Sequence, residues 1–156
     1  MKLTAYTDYT LRTLMYLAMT RDRLVTVRHI AELYDISKNN LVKVVHQLGL
    51  SGTVETVRGR NGGVRLNRAP VDINIGQIVR GAEGDFFMAE CFDLASNTCL
   101  QASACTLKEV LKNATEAYLA VLDDVTLADL IKNKDACAAG LLTIKMPVLA
   151  KESKPT

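Results

Sequence analysis

The sequence predicts a mainly α-helical fold with a single β-hairpin, and three features of its 156 residues carry that expectation. Apolar residues recur at three- and four-residue steps in the segments before residue 51, the period of helices that bury one face. Two β-prone runs around a Gly- and Asn-rich turn follow directly. Beyond residue 106 a longer helical stripe resumes after a cysteine-rich segment. A chain of this length is enough for one compact unit with a modest core plus an appendage. The expected divisions are a compact domain over 1–83, a thiol-rich loop over 84–106, a long helix and a short terminal helix over 107–134, and a tail over 135–156.

The first helix is expected in "TDYTLRTLMYLAM", where Tyr9, Leu11, Leu14, Met15, Leu17 and Ala18 form an apolar face behind Thr7 as N-cap. Thr26 precedes "VRHIAELY", in which Val27, Ile30, Ala31 and Leu33 keep helical spacing. After the short "DI" link, Ser37 is expected to cap a further helix, "KNNLVKVVHQLGL". There Leu41, Val44, Val45 and Leu48 face inward, leaving Lys38, Asn39, Asn40, Lys43, His46 and Gln47 outside. Two short helices joined by a tight turn, the second with a polar outer face, predict a helix-turn-helix that Gly49 and Gly52 end.

"TVETVRGRNGGVRL" reads as a hairpin, with positive φ expected among Asn61, Gly62 and Gly63. A hairpin directly after a helix-turn-helix makes a winged helix. "DINIGQIVRGAEG" adds a short amphipathic helix with Ile75, Ile78 and Val79 facing in. In "TLKEVLKNATEAYLAVLDDV" the stripe Leu107, Val110, Leu111, Ala114, Tyr118, Val121, Leu122 and Val125 makes a long helix. Outside a compact domain such a helix packs most simply on a second copy, giving a homodimer that offers two recognition helices to a palindromic DNA site. Packing on the first helix is the intramolecular alternative. "TLADLIKN" is expected as a short helix capped by Thr126, and the tail, with Pro147 and Pro155 among charged residues, as largely disordered.

The overall charge of +2 conceals an uneven distribution. Through Pro70 there are eleven basic residues against five acidic ones, and the remaining chain is net acidic. A basic first half suggests a localised polyanion-binding face, although a solvated surface has the same composition. The expected DNA contacts are Ser37, Lys38, Asn39, Asn40 and Lys43 at the start of the recognition helix, and Arg58, Arg60, Asn61 and Arg65 on the wing. Asn and Lys can pair with base edges, whereas wing arginines position the protein on phosphates or enter a narrow minor groove. No apolar run approaches the ~18 residues of a membrane span. "MKLTAYTDYT" carries Asp8 before any apolar run and lacks a small-residue cleavage site, so a cytoplasmic location without membrane contact is expected.

In that reducing compartment clustered thiols point to metal or redox chemistry rather than to disulfides. Cys91, Cys99 and Cys105 follow a C-x7-C-x5-C spacing in a polar loop that ends at a helix start. Zinc sites favour C-x2-C pairs, and thiol oxidoreductases C-x-x-C; neither is present. His29 and His46 lie in the helix-turn-helix, remote in sequence from every cysteine, so no paired base is evident for a nucleophile. Iron–sulfur clusters are bound by thiolates on loops with loose spacings, and three thiolates leave one iron of a four-iron cluster without a ligand. Cys137 in "DACAAG" reads as a small apolar residue.

The stretches "LTAYTDYTLRTLMYLA", "ISKNNLVKVVHQLG", "VETVRGRNGGVRL" and "VLDDVTLADL", together with the three cysteines, resemble the NsrR-type nitric-oxide-responsive repressors. These belong to the winged-helix regulators that include IscR and RirA. The resemblance runs from Met1 to about Lys134. It implies a non-enzymatic, dimeric DNA-binding repressor whose 4Fe-4S cluster is held by Cys91, Cys99 and Cys105 and completed by Asp8 of the partner subunit. Loss of the cluster to nitric oxide would then relieve repression. Lys108 stands where IscR-like members carry a histidine, which argues against a 2Fe-2S site of that type. "FMAECF" and the cysteine spacing are also close to RirA, which makes an iron-responsive repressor the alternative; a cluster-free thiol sensor or redox enzyme is the alternative from another class. Asp8 has a second reading, since an acidic residue in a first helical turn favours the helix dipole with no iron involved.

Overall fold

In a computed structural model of the chain, residues 2–93, 95, 97–100 and 105–132 are described. Six α-helices and one antiparallel hairpin are found among them: α1 (Ala5–Met19), α2 (Val27–Tyr34), α3 (Lys38–Leu50), β1 (Val54–Val57), β2 (Gly63–Leu66), α4 (Ile75–Ala82), α5 (Thr106–Asp123) and α6 (Leu127–Leu130). The mainly helical fold with a β-hairpin wing is as the sequence predicts.

α1 begins earlier than its apolar pattern indicates. Thr4, not Thr7, is the N-cap: its hydroxyl accepts the Thr7 N–H at 3.2 Å, and Thr7 is fully buried. Two threonines at the spacing of an N-cap and its third helical residue are ambiguous in sequence; burial of the second decides between them. Thr10 and Thr13 are also buried on this helix, and each hydroxyl donates to the carbonyl four residues earlier, Tyr6 and Tyr9. Their polarity is therefore satisfied inside the helix, leaving the methyl groups to pack.

Leu14 and Leu17 of α1 meet Ile30 and Ala31 of α2, Leu41, Val44, Val45 and Leu48 of α3, and Ile75 and Val79 of α4 in one core. Thr26 caps α2 by accepting the His29 N–H at 3.1 Å. The turn to α3 runs through Asp35, whose φ of 53° places it in the left-handed region. Aspartate tolerates that region better than most residues. Buried Ile36 pins the turn, its N–H donating to the Ala31 carbonyl at 2.9 Å. Gly49 remains inside α3, while Gly52 takes positive φ just beyond it.

The hairpin pairs Val54 with Leu66 and Val57 with Gly63. The expectation of positive φ among Asn61, Gly62 and Gly63 is corrected: Gly59, at φ 111°, is the positive-φ residue of this turn. Gly62 and Gly63 answer to space instead. A Cβ on Gly62 would overlap the Val57 carbonyl, and one on Gly63 would lie 2.9 Å from the Val25 carbonyl oxygen. Val25 bridges Val64 through N–H···O bonds of 3.1 and 2.8 Å, so the approach to α2 forms a third strand position beside the wing.

α4 is capped by Asn74, whose side chain accepts the Gln77 N–H. α5 packs against α4 at its C-terminal end, where Leu122 and Val125 reach the core, and its packing is therefore not centred on α1. No residue of α5 is buried, and Leu107, Val110 and Val121 are 63%, 56% and 67% exposed. Fully buried Leu127 returns α6 to the core beside α1. Cys137 and the expected disordered tail lie outside the described residues.

Candidate nucleic-acid interface and thiol loop

α3 divides its residues as the sequence predicts. Leu41, Val44, Val45 and Leu48 are buried, and Ser37, Lys38, Asn39, Asn40 and Lys43 are all exposed. The capping expected of Ser37 is corrected: the residue occupies the N-cap position of α3, but with φ −53° and ψ 127° its side chain makes no capping bond, which leaves its hydroxyl available to a phosphate. Arg58, Arg60 and Asn61 project from the hairpin turn and are exposed. Among the described residues no ion pair engages Lys38, Lys43, Arg58 or Arg60. Arg65 differs: it donates to Glu55, its cross-strand neighbour in the register. Its charge is thus partly offset within the hairpin, by a partner that the order of residues gives only once the strand register is known.

Asp8 lies in the first turn of α1 and half-exposed, with its carboxylate already occupied. Arg12 donates to both oxygens, Nε to Oδ1 at 3.0 Å and Nη2 to Oδ2 at 2.9 Å. The same guanidinium lies 6.0 Å from the Tyr34 ring at the end of α2. Tyr34 stands edge-on to Tyr16 at 6.3 Å, and the Tyr16 hydroxyl is 2.8 Å from His29 Nε2. Asp8 is therefore linked by contact to the first helix of the helix-turn-helix. Arg12 and the aromatic residues escaped the sequence reading, although the four-residue step from Asp8 to Arg12 is a spacing that signals such a pair.

Cys91 is buried in a 3-10 turn, Glu90–Phe92, while Cys99 is half-buried and Cys105 occupies the N-cap of α5. None of the three forms a disulfide. Lys108 Nζ lies 5.8 Å from the Phe92 ring, which brings the Cys91 turn against the first turn of α5, next to Cys105. Among the described residues no three His, Cys, Asp or Glu side chains stand together as a metal site, and Asp8 is not brought to the thiols within one chain. In donor chemistry the set nonetheless fits an iron–sulfur group: three unpaired thiols on one loop.

The family model described as "Iron-dependent Transcriptional regulator", Rrf2, matches residues 3–133. The chain belongs to the Rrf2 family. Among Rrf2-type relatives it is 56% identical over 136 residues to the HTH-type transcriptional regulator NsrR of Bacillus subtilis, covering 86% of this chain and 93% of that protein. With NsrR of Halalkalibacterium halodurans the identity is 49% over 146 residues, 93% of this chain and 99% of the relative. The fold is similar to that of T. potens IscR, with a TM-score of 0.69 at 28% identity over 94% of this chain and 93% of that one. Oxidised Staphylococcus aureus CymR gives 0.67 at 27% identity, covering 85% and 97%. This Rrf2 protein is accordingly a DNA-binding transcriptional regulator with a winged helix, and not an enzyme. No helix among its described residues is long and apolar enough to cross a membrane.

Proposed function

We propose that the protein is a homodimeric repressor whose hold on a palindromic operator depends on a 4Fe-4S cluster that nitric oxide attacks. Cys91, Cys99 and Cys105 would hold the cluster, with Asp8 of the partner subunit as the fourth ligand. The observation that carries this reading is the contact between Phe92 and Lys108, which brings the buried-thiol turn against the first turn of α5, a long helix with an exposed apolar face. A cluster that held this loop together would bear directly on the helix that would join two subunits.

When bound, such a cluster supplies irons open to a small diatomic and a rigid template for the thiols. The chain's own residues do the rest. Leu107, Val110 and Val121 offer apolar area to a second copy. Asn39, Asn40 and Lys43 on α3 reach base edges, and Ser37, Arg58 and Arg60 hold phosphates. Ligation by Asp8 would draw on an oxygen that already accepts from Arg12, weakening the hold on a guanidinium that lies 6.0 Å from the Tyr34 ring of α2. The ligand position thereby gains an influence on the helix-turn-helix.

The test is anaerobic purification, iron and sulfide analysis, and DNA binding before and after separate additions of nitric oxide and an iron chelator. A brown protein with visible absorbance that releases DNA on nitric oxide is expected. Release on chelation but not on nitric oxide would identify an iron-responsive repressor instead. A colourless protein that binds DNA and answers to thiol oxidants would replace the cluster with thiol chemistry.

A further inference from the structure

None of the 18 residues of α5 is fully buried, and the backbone hydrogen bonds that tie it to the winged domain are made just past its last turn. That junction is built from contacts distant in sequence. The Ile75 N–H donates to the Val125 carbonyl at 2.9 Å and the Leu127 N–H to the Ile73 carbonyl at 2.8 Å, on either side of a bridge between Asn74 and Thr126. Asn74 Nδ2 donates to the Asp123 carbonyl at 2.5 Å. Across the junction, both terminal nitrogens of Arg80 on α4 grip the Asp123 carboxylate, Nη1 on Oδ1 and Nη2 on Oδ2, the second at 2.7 Å. Gly76 leaves room for that carboxylate, since a Cβ there would overlap Asp123 Oδ1. The Arg80 hydrogen bonds hold the Asp123 carboxyl below its ordinary pKa, so the pair is charged on both sides at neutral pH.

A fork-to-fork ion pair fixes orientation as well as distance. The backbone bonds at Ile75 and Leu127 form a narrow strip about which α5 could tilt, and Arg80–Asp123 is the ion pair that resists the tilt from α4, beside the Asn74 hydrogen bond and the packing of Leu122. We infer that Arg80 and Asp123 are a positioning pair that sets the angle at which α5 leaves the winged domain, and with it the half-site spacing that the dimer accepts. The inference rests on the homodimer proposed above. The lever is long: a helix of this length extends about 27 Å, so a tilt of about 10° moves its far end by about 5 Å. One base-pair step is about 3.4 Å. A small change at the joint therefore shifts the two recognition helices out of register with DNA.

The experiment uses the full chain, and as probe a duplex selected by the wild-type protein from a random pool, remade with its two halves moved apart or together by one and two base pairs. Sedimentation of each variant accompanies the binding. For Arg80→Ala the expected result is an intact dimer, unchanged affinity for random DNA, and a preference for the selected spacing reduced about tenfold. The exchange variant, Arg80→Asp with Asp123→Arg, should regain much of that preference, and an exchange variant that folds with a profile as flat as that of Arg80→Ala would count against the pair. A spacing profile in Arg80→Ala identical to that of the wild type, with dimer and random-DNA binding retained, would overturn the inference. If Arg80→Ala does not fold, Arg80→Lys decides by the same profile, a flattened one supporting the pair and an unchanged one overturning it. A wild-type protein that sediments as a monomer would refute the homodimer first, and this inference with it.

Discussion

The wing offers the most quantitative test, because its three arginines differ in their partners. Arg58 and Arg60 have no ion pair among the described residues, whereas Arg65 is held by Glu55. Each guanidinium that replaces a counterion on B-DNA contributes about 0.9 to the slope of log affinity against log salt. Over a fourfold rise in salt, one such contact is worth about 3.5-fold in affinity and two about 12-fold. Arg60→Ala should therefore lower the slope by about 0.9, and Arg58→Ala with Arg60→Ala by about 1.8, on operator and random DNA alike. Arg65→Ala should lower it by less, since Glu55 already offsets that charge in the free protein, and Glu55→Ala should strengthen random-DNA binding. Fluorescence anisotropy at four salt concentrations reads all of these. An unchanged slope with lost sequence preference in Arg60→Ala would show that Arg60 reads bases. A loss for Arg65→Ala equal to that for Arg60→Ala would refute the argument from Glu55.

On α3, Asn40→Ala should relax preference at one base pair per half-site, costing roughly 1–3 kcal/mol there and little on random DNA, and equal losses on both would remove it from base reading. Cys91→Ala, Cys99→Ala and Cys105→Ala should each lose iron and sulfide while Cys137→Ala keeps them; a Cys137 variant as empty as the others would put a fourth thiolate where Asp8 is proposed. Mixing Asp8→Ala with Cys99→Ala subunits should restore one site with wild-type absorbance if ligation crosses the dimer, and a mixture without such a site would exclude it. The Asp129 carboxyl is held well below its ordinary pKa, first by Lys132 and then by the Thr126 hydroxyl and N–H. A depressed folded-state pKa stabilises above the unfolded value of about 4 and is lost as pH falls. The gap in Tm between wild type and Asp129→Asn should thus be present at neutral pH and narrow in acid, and a gap constant between about pH 6 and pH 3 would contradict that linkage.

The helices of the winged domain were legible because their signals are local. Three- and four-residue apolar steps, a Thr before α2 and a glycine-rich hairpin turn all act within a few residues, and the buried side of α3 is the side that its periodicity marks. The exposure of Asn39, Asn40 and Lys43 followed from the same pattern, as did the length of α5 and its apolar stripe. Cysteine spacing and residue type narrowed the chemistry of the loop without giving its path, since the segment carries no periodicity to read.

Tertiary structure decided whatever depends on residues far apart in the chain. Burial chose Thr4 over Thr7 as the first cap, and the closeness of Val25 and Val57 explains why Gly62 and Gly63 have no side chain. Strand register placed Glu55 against Arg65 and so set one of the wing cations apart. The junction between α4 and α5 depends on a pair 43 residues apart, and no local rule connects Arg80 with Asp123. Helical period is a property of neighbouring residues, whereas the partner of a charge is fixed only when the core has closed and brought its helices together.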